Sequence, residues 1–321
     1  MNCPECGKQI PDGAMTCPEC GMDIDAKDTR EITAKLDIEE LTKEWQRRAE
    51  DAREVKVVTA LGARTDLGKV RENNEDKFEF FQPEDEKLLA TKGAFYAVAD
   101  GMGGHSAGQI ASELALKTTI KAYYADSSPV ITESLRSAVR QANRLIHDAG
   151  TAIAERAGMG TTITALVIQG ETAFIAQVGD SRCYRVRNGK ITQITEDHSW
   201  VQEQVKLGGL TEEQALASPY RNVITRSLGS AASVEVDIYE EKIEAGDRWL
   251  LCSDGLSGDV KADEMLDLMK DRSPSEAVSD LVDLALERGG HDNTTALILG
   301  IKEIARNRNR RRGLSALFGR S

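Results

Sequence analysis

Downstream of residue 54, apolar residues come in short blocks separated by polar turns, and the block length changes along the chain. Runs rich in valine, isoleucine, leucine and aromatic residues predict strands over 55–61, 77–81, 94–99, 161–168, 172–178, 181–187, 234–239, 247–253 and 294–301. Longer stretches with helical spacing predict one helix pair near 106–124 and 131–155, and a second near 260–271 and 274–288. Ser273-Pro274-Ser275-Glu276 reads as a helix start, with proline in the first turn. Asn188-Gly189, between Tyr184-Arg185-Val186 and Ile191-Thr192-Gln193, predicts a tight hairpin. Strands in runs and helices in pairs imply an α+β layered domain, not alternating βαβ units. Upstream, residues 22–53 are charged and lack glycine, and Ile38, Leu41, Trp45, Arg48 and Ala52 fall near one helical face. That segment predicts an amphipathic linker helix, either a plain spacer or a dimerising, signal-transmitting element.

The first residues follow a different logic. Cys3-Pro4-Glu5-Cys6-Gly7 recurs as Cys17-Pro18-Glu19-Cys20-Gly21, so Cys3, Cys6, Cys17 and Cys20 form two knuckles suited to one tetrahedral ion. The gap between the knuckles is short for a zinc ribbon, which makes this a miniature one, with iron as the alternative to zinc. A segment this small has no adequate apolar core, so the ion supplies its folding energy. Four thiolates and no nearby histidine make a closed, structural site. Cys183 and Cys252 lie in apolar runs and read as core residues.

Composition narrows the class. No apolar stretch is long enough to span a bilayer, and the Met1-Asn2-Cys3-Pro4 start has no signal-peptide character, which together predict a cytoplasmic protein. A net charge of -12 disfavours nucleic acid as the partner, and the ribbon carries only Lys8 as a basic residue, so protein docking is its better use. Basic character is concentrated instead in residues 304–321, where Arg306, Arg308, Arg310, Arg311, Arg312 and Arg320 stand without an acid. Leu314, Leu317 and Phe318 share a helical face behind them, which predicts either reversible peripheral contact with an anionic membrane or acidic partner, or a solvated tail.

The chemistry lies in the carboxylates. Asp100 and Asp254 directly follow apolar runs, Asp292 sits in Gly289-Gly290-His291-Asp292-Asn293, and Glu75-Asp76 follow Arg71-Glu72-Asn73-Asn74. Acids at the ends of buried strands are costly unless a cation neutralises them. Magnesium and manganese prefer such oxygen donors, and an arginine alongside offers a bidentate grip on phosphate. The pattern points to metal-assisted hydrolysis of a phosphate ester.

Taken in order, a series of motifs over residues 54–303 resembles the bacterial metal-dependent protein serine/threonine phosphatases of the 2C type. The series runs Thr65-Asp66-Leu67-Gly68 through Arg71 to Glu75-Asp76, Val98-Ala99-Asp100-Gly101-Met102-Gly103-Gly104-His105, Gly160-Thr161-Thr162, Val178-Gly179-Asp180-Ser181-Arg182, Asp197-His198, Ile224-Thr225-Arg226-Ser227-Leu228-Gly229, Cys252-Ser253-Asp254-Gly255-Leu256 and His291-Asp292-Asn293-Thr294-Thr295. The resemblance implies a four-layer α-β-β-α sandwich of two antiparallel sheets flanked by helix pairs. It implies two or three Mn²⁺ or Mg²⁺ ions. Asp100 would bridge two of them and the Gly101 carbonyl would complete one. Asp254 and Asp292 would hold the first. Glu75 would act on the second, largely through water, with Asp76 in the same acidic site. Asp180 with Asp254 would form a weaker third position. Arg71 would grip the phosphate, Asn293 would orient Asp292, and a metal-activated water would attack phosphorus. Where animal members carry a histidine two residues after the bridging aspartate, this chain has Met102, so the proton donor stays open between His105, a third-metal water and bulk solvent. The segment Trp200–Tyr220 corresponds to the bacterial flap, with Gly208-Gly209 as hinges. The expected partners are phosphorylated proteins, including a Ser/Thr kinase whose action the enzyme opposes. The alternative is a catalytically weak phosphatase-fold signalling module with the ribbon as docking adaptor. The implied organisation is ribbon 1–22, helical linker 23–53, phosphatase domain 54–303 and basic tail 304–321.

Overall fold

The computed structural model describes residues 8–9, 55–104 and 106–306. The four ribbon cysteines, the expected linker helix, His105 and residues 307–321 lie outside the described residues. The chain divides into compact units Met1–Glu44 and Trp45–Ser321, and the first contributes only Lys8 and Gln9 to the description.

The second unit is built on two five-stranded antiparallel sheets. One has the order β1 (Val55–Asp66), β12 (Thr294–Arg306), β11 (Arg248–Cys252), β8 (Arg182–Arg187), β9 (Lys190–Gln193). The other has the order β10 (Asp237–Lys242), β7 (Thr172–Val178), β6 (Ile163–Gln169), β3 (Ala94–Ala99), β2 (Lys77–Phe81). A short pair, β4 (Gly101–Met102) with β5 (Gly160–Thr161), stands apart.

Strand β3 shows why its sequence does not alternate apolar with polar. Phe95, Ala97 and Ala99 face the helices α2 (Ser106–Ala125) and α3 (Ile131–Ala152), while Ala94, Tyr96 and Val98 face the other sheet. Both faces are buried, so every position is apolar. Strand β11 repeats the device: Trp249 and Leu251 point between the sheets, and Leu250 and Cys252 point to the layer holding α7 (Ala262–Met269) and α8 (Pro274–Glu287). The result is the four-layer sandwich that the sequence implied. Ser273 caps α8 through a reciprocal pair with Glu276, as its sequence suggested.

Several boundaries differ from expectation, and three of the differences have a plain cause. A short helix, α1 (Glu86–Lys92), occupies a segment with no predicted element, and Asp85 caps it by accepting the Leu88 N–H at 2.7 Å. Strand β10 starts three residues later than expected, because it is an edge strand whose outer positions carry Glu240 and Lys242. Strand β12 runs on to Arg306, so the boundary expected at 303/304 falls inside a strand: Val55 pairs with Arg306 and Lys56 with Ala305. Arg306 also forms an ion pair with Glu171. The charged residues at 302, 303 and 306 hid this extension.

Candidate active site

Strand ends place the acids. Asp100 leaves β3, Asp254 leaves β11 as the first residue of the single-turn helix α6 (Asp254–Ser257), Asp180 leaves β7, and Asp292 precedes β12. Asp76 immediately precedes β2 and is fully buried, with Oδ2 accepting the Ser253 hydroxyl at 2.6 Å. These elements come from both sheets, so the acids converge at one end of the sandwich.

Their electrostatics report that convergence. Burial raises the Asp100 carboxyl well above the ordinary carboxylate range, and repulsion from Asp76, Asp254 and Asp180 adds to it. A side-chain hydrogen bond between Asp100 and Asp254 raises the first further and opposes the rise of the second. Burial, then Asp254 and Asp292, push Asp76 up to about 7 even though Ser253 and Thr295 oppose the rise. Burial and Asp254 push Asp180 up to about 8. Burial and Asp292 also raise Asp254.

Polar accounting points the same way. Asp76 Oδ1, Asp180 Oδ1 and Asp254 Oδ1 are buried without a hydrogen-bond partner. Orphaned buried oxygens of this kind are rare in folded proteins and mark a missing donor or ion. Among the described residues no three His, Cys, Asp or Glu side chains already form a metal cage. Arg71 partly neutralises the cluster, with Nη2 2.6 Å from Asp292 Oδ2. The set is all oxygen, acid-rich and buried, which fits a hard divalent cation and excludes a soft one. Backbone clearance fits too: a Cβ at Gly101 would lie 2.2 Å from the Gly108 carbonyl oxygen and 2.7 Å from that of Glu75, so only glycine admits this approach.

Glu75 is positioned by its backbone. Its N–H donates to Asn293 Oδ1 at 2.8 Å, and its carbonyl accepts the Ser112 hydroxyl at 2.6 Å. Asn293 uses its other amide hydrogens on the carbonyls of Leu67 and Asn73, at 2.8 and 3.0 Å. Its side chain therefore holds the loop that carries Arg71 and Glu75, while its main-chain N–H donates to Asp292 Oδ1 at 2.8 Å. Asp66 does not touch Arg71; it accepts from the Gly68 N–H at 3.0 Å and pairs with Arg64. Arg71 is 55% exposed and its partner Asp292 is 33% exposed, so both are reachable from solvent, whereas Asp76 and Asp180 are buried.

Just after His198, which is bonded to the turn that carries Asp180, comes the segment between Ser199 and Ile224, whose ends pair as an isolated bridge. It contains α4 (Trp200–Lys206) and α5 (Glu212–Leu216). At its base Asp197 takes a two-pronged grip from Arg182 at 2.7–3.0 Å. His198 accepts the Gly179 N–H on Nδ1 at 3.0 Å and sits 3.2 Å from Asp237 through Nε2. Burial, then Arg226, lowers the His198 pKa, so the ring is neutral. His291 is exposed, and His147 is half-buried with Nδ1 3.1 Å from the Gly229 carbonyl. Spacing along the chain gave no sign of the Ser253–Asp76 or Arg182–Asp197 contacts, because each joins segments that only the fold brings together.

A sandwich of this layering, with strand-end acids and a guanidinium at one rim, defines a metal-dependent phosphatase scaffold. The protein phosphatase 2C family model matches residues 69–288, and the chain belongs to that family. A zinc-ribbon domain model matches residues 2–24. Among relatives, the serine/threonine phosphatase stp of Listeria welshimeri is 37% identical over 241 residues, covering 74% of this chain and 93% of the relative. The serine/threonine protein phosphatase PstP of Mycobacterium tuberculosis is 37% identical over 249 residues, covering 77% of this chain and 46% of that longer relative. The crystal structure of the Mycobacterium tuberculosis phosphatase superposes with a TM-score of 0.69 at 36% identity, over 77% of this chain and all of that one. A PstP catalytic domain in complex with two manganese ions gives a TM-score of 0.67 at 35% identity, again over 77% of this chain and all of that one.

Proposed function

We propose that this chain hydrolyses phosphoserine and phosphothreonine in proteins, using Mn²⁺ or Mg²⁺ held by its strand-end acids. The observation that carries the reading is the set of three orphaned carboxylate oxygens, on Asp76, Asp180 and Asp254, buried beside Asp100 and behind an exposed Arg71. In this reading Asp100 would serve both of the paired ions, and Asp254, Asp292 and the Gly101 carbonyl would hold the first with it. Glu75 and Asp76 serve the second, and Asp180 with Asp254 the weaker third. Bound there, the ions would acidify a water and neutralise the phosphoryl charge.

The chain's own groups do the rest. Arg71 binds the phosphate from the solvent side, exchanging its Asp292 partner for a phosphoryl oxygen. Asn293 orients the Glu75 loop through three hydrogen bonds. Met102 carries no exchangeable proton, so the leaving oxygen is protonated by His105 or by water.

The ribbon at 1–22 binds one zinc and docks proteins, the segment 23–53 links it to the catalytic domain, and the substrates include an opposing Ser/Thr kinase. The basic tail makes weak, salt-sensitive contact with anionic surfaces. The test is a manganese-dependent assay on phosphothreonine peptides beside Asp100→Ala. Turnover should vanish in the variant and in excess chelator; full activity in chelator would refute the metal role.

A further inference from the structure

The motifs Gly160-Thr161-Thr162 and Gly179-Asp180-Ser181 meet in the interior, and the mechanism above makes no use of that meeting. Thr162 lies between β5 and β6 and is fully buried. Its Oγ1 accepts the Asp100 main-chain N–H at 2.9 Å and lies 2.7 Å from the Ser181 hydroxyl. Its methyl carbon lies against Gly179, where a Cβ would come within 2.5 Å and the backbone has a φ of +107°. One side chain therefore touches the two turns that carry Asp100 and Asp180.

Behind Thr162 the polar contacts continue. The Thr164 hydroxyl donates to Gln177 Oε1 at 2.6 Å. Gln177 Nε2 donates to the carbonyls of Gly179 at 3.0 Å and Ser181 at 2.6 Å. On its far side the same turn is held by His198, which donates its main-chain N–H to the Gly179 carbonyl at 2.9 Å and accepts the Gly179 N–H on its ring. Thr162, Thr164, Gln177 and Ser181 are all fully buried. Burying four polar side chains is costly, and an apolar cluster would pack this volume without that cost. What the polar cluster adds is direction: each bond ends on the main chain of a turn that presents a carboxylate, or on a side chain that makes such a bond.

We propose that Thr162 is a positioning residue that pins the Asp180 turn to the Asp100 turn, and so sets the third ion's position relative to the bridged pair. The inference rests on the metal reading proposed above. Outer contacts of this kind commonly control metal affinity through the ligands they orient.

Manganese titration calorimetry on the full-length, zinc-loaded protein tests it, with thermal unfolding alongside. Wild type should take up a tight pair and a weaker further equivalent, and Asp180→Asn should lose the weaker one. Ser181→Ala cuts the link between turns and leaves the Asp100–Thr162 bond. It should weaken the further equivalent roughly five- to tenfold, the size of one neutral hydrogen bond, and leave the tight pair unchanged. Thr162→Val also removes the acceptor for Asp100 and should weaken both classes, and Thr162→Ser should restore them. Variants that lose thermal stability while binding manganese as wild type does would show a merely structural network and overturn the inference. Should Thr162→Val fail to fold, Ser181→Ala decides alone. Wild-type protein that takes up no manganese would overturn the metal reading itself.

Discussion

Gly108, in the first turns of α2, has no room for a methyl group. A Cβ there would sit 2.3 Å from Glu75 Oε2 and 2.8 Å from the Gly101 carbonyl carbon. Gly108→Ala should therefore displace Glu75, weaken manganese binding by about tenfold or more and lower kcat, because the clash falls on a proposed ligand rather than on flexible surface. Calorimetry and turnover check it; wild-type values for both would show that Glu75 is not needed at that position. A second expectation concerns charge. Asp76 and Asp180 stand at about 7 and about 8 in the folded protein, above the ordinary 3.8 that applies when the chain is unfolded. Between those limits the folded state holds protons that the unfolded state releases, so stability in chelator is fully present below about pH 4 and falls as pH rises towards 8. Excess Mn²⁺ should abolish the fall, because a cation replaces the protons. A melting temperature in chelator that is flat or rising from pH 5 to 8 would contradict this. Asp100 and Asp254 were legible from sequence because each ends an apolar run that must stop at a surface or a site, whereas Asp292 and Glu75-Asp76 stood out only through the ordered series of motifs. Thr162, Gln177 and Ser253 were not, since hydroxyls and amides in strand-like runs look the same whether they face solvent or a buried turn.

The Ser199–Ile224 excursion is closed at its base by an isolated bridge between its two ends. Trp200 and Tyr220 meet edge-on at 5.2 Å near the two ends, whereas Leu207 is 79% exposed. Such an aromatic pair contributes about 0.5–1.5 kcal/mol to holding the two ends of the excursion together. Trp200→Ala should raise KM for a phosphopeptide by about threefold or more and leave hydrolysis of a small aryl phosphate unchanged, since only the larger substrate reaches the excursion. Equal losses on both substrates would place Trp200 in support of the metal cluster instead. Strands buried on both faces, such as β3 and β11, were read from their unbroken apolar runs. Helix α1 was not, because its seven residues complete barely two turns and offer too short a pattern. The outer halves of β10 and β12 escaped for a different reason: at a sheet margin one face is solvated, and charged residues there imitate loop.

Across the whole molecule, the catalytic domain begins and ends on one pair of strands. Val55 and Arg306 are partners at one end of that pair, and Asp66 and Thr294 are partners at the other, next to Asp292. A twelve-residue strand spans about 40 Å, so the chain enters and leaves the domain far from the acids. Removing residues 1–53 should therefore keep kcat/KM on an aryl phosphate within about twofold of the full chain, while activity on protein substrates is free to change. Loss of aryl-phosphatase activity in a folded truncation would make the N-terminal segments part of the catalytic switch. The layered class was legible because the strand and helix blocks are grouped along the chain. The β1–β12 closure was not, since no local pattern announces a partner at the far end of the domain.

That closure has a consequence for synthesis. Strand β12 lies between β1 and β11, and it directly follows Asp292 and Asn293. Until it emerges from the ribosome and docks, β1 lacks its strand partner, and nothing seats Asn293 against the Arg71 loop or Asp292 in the ion cluster. Contacts between such distant segments are the slow ones to form. A nascent chain halted before β12 therefore has no assembled centre, so dephosphorylation begins only once β12 has been made and has docked.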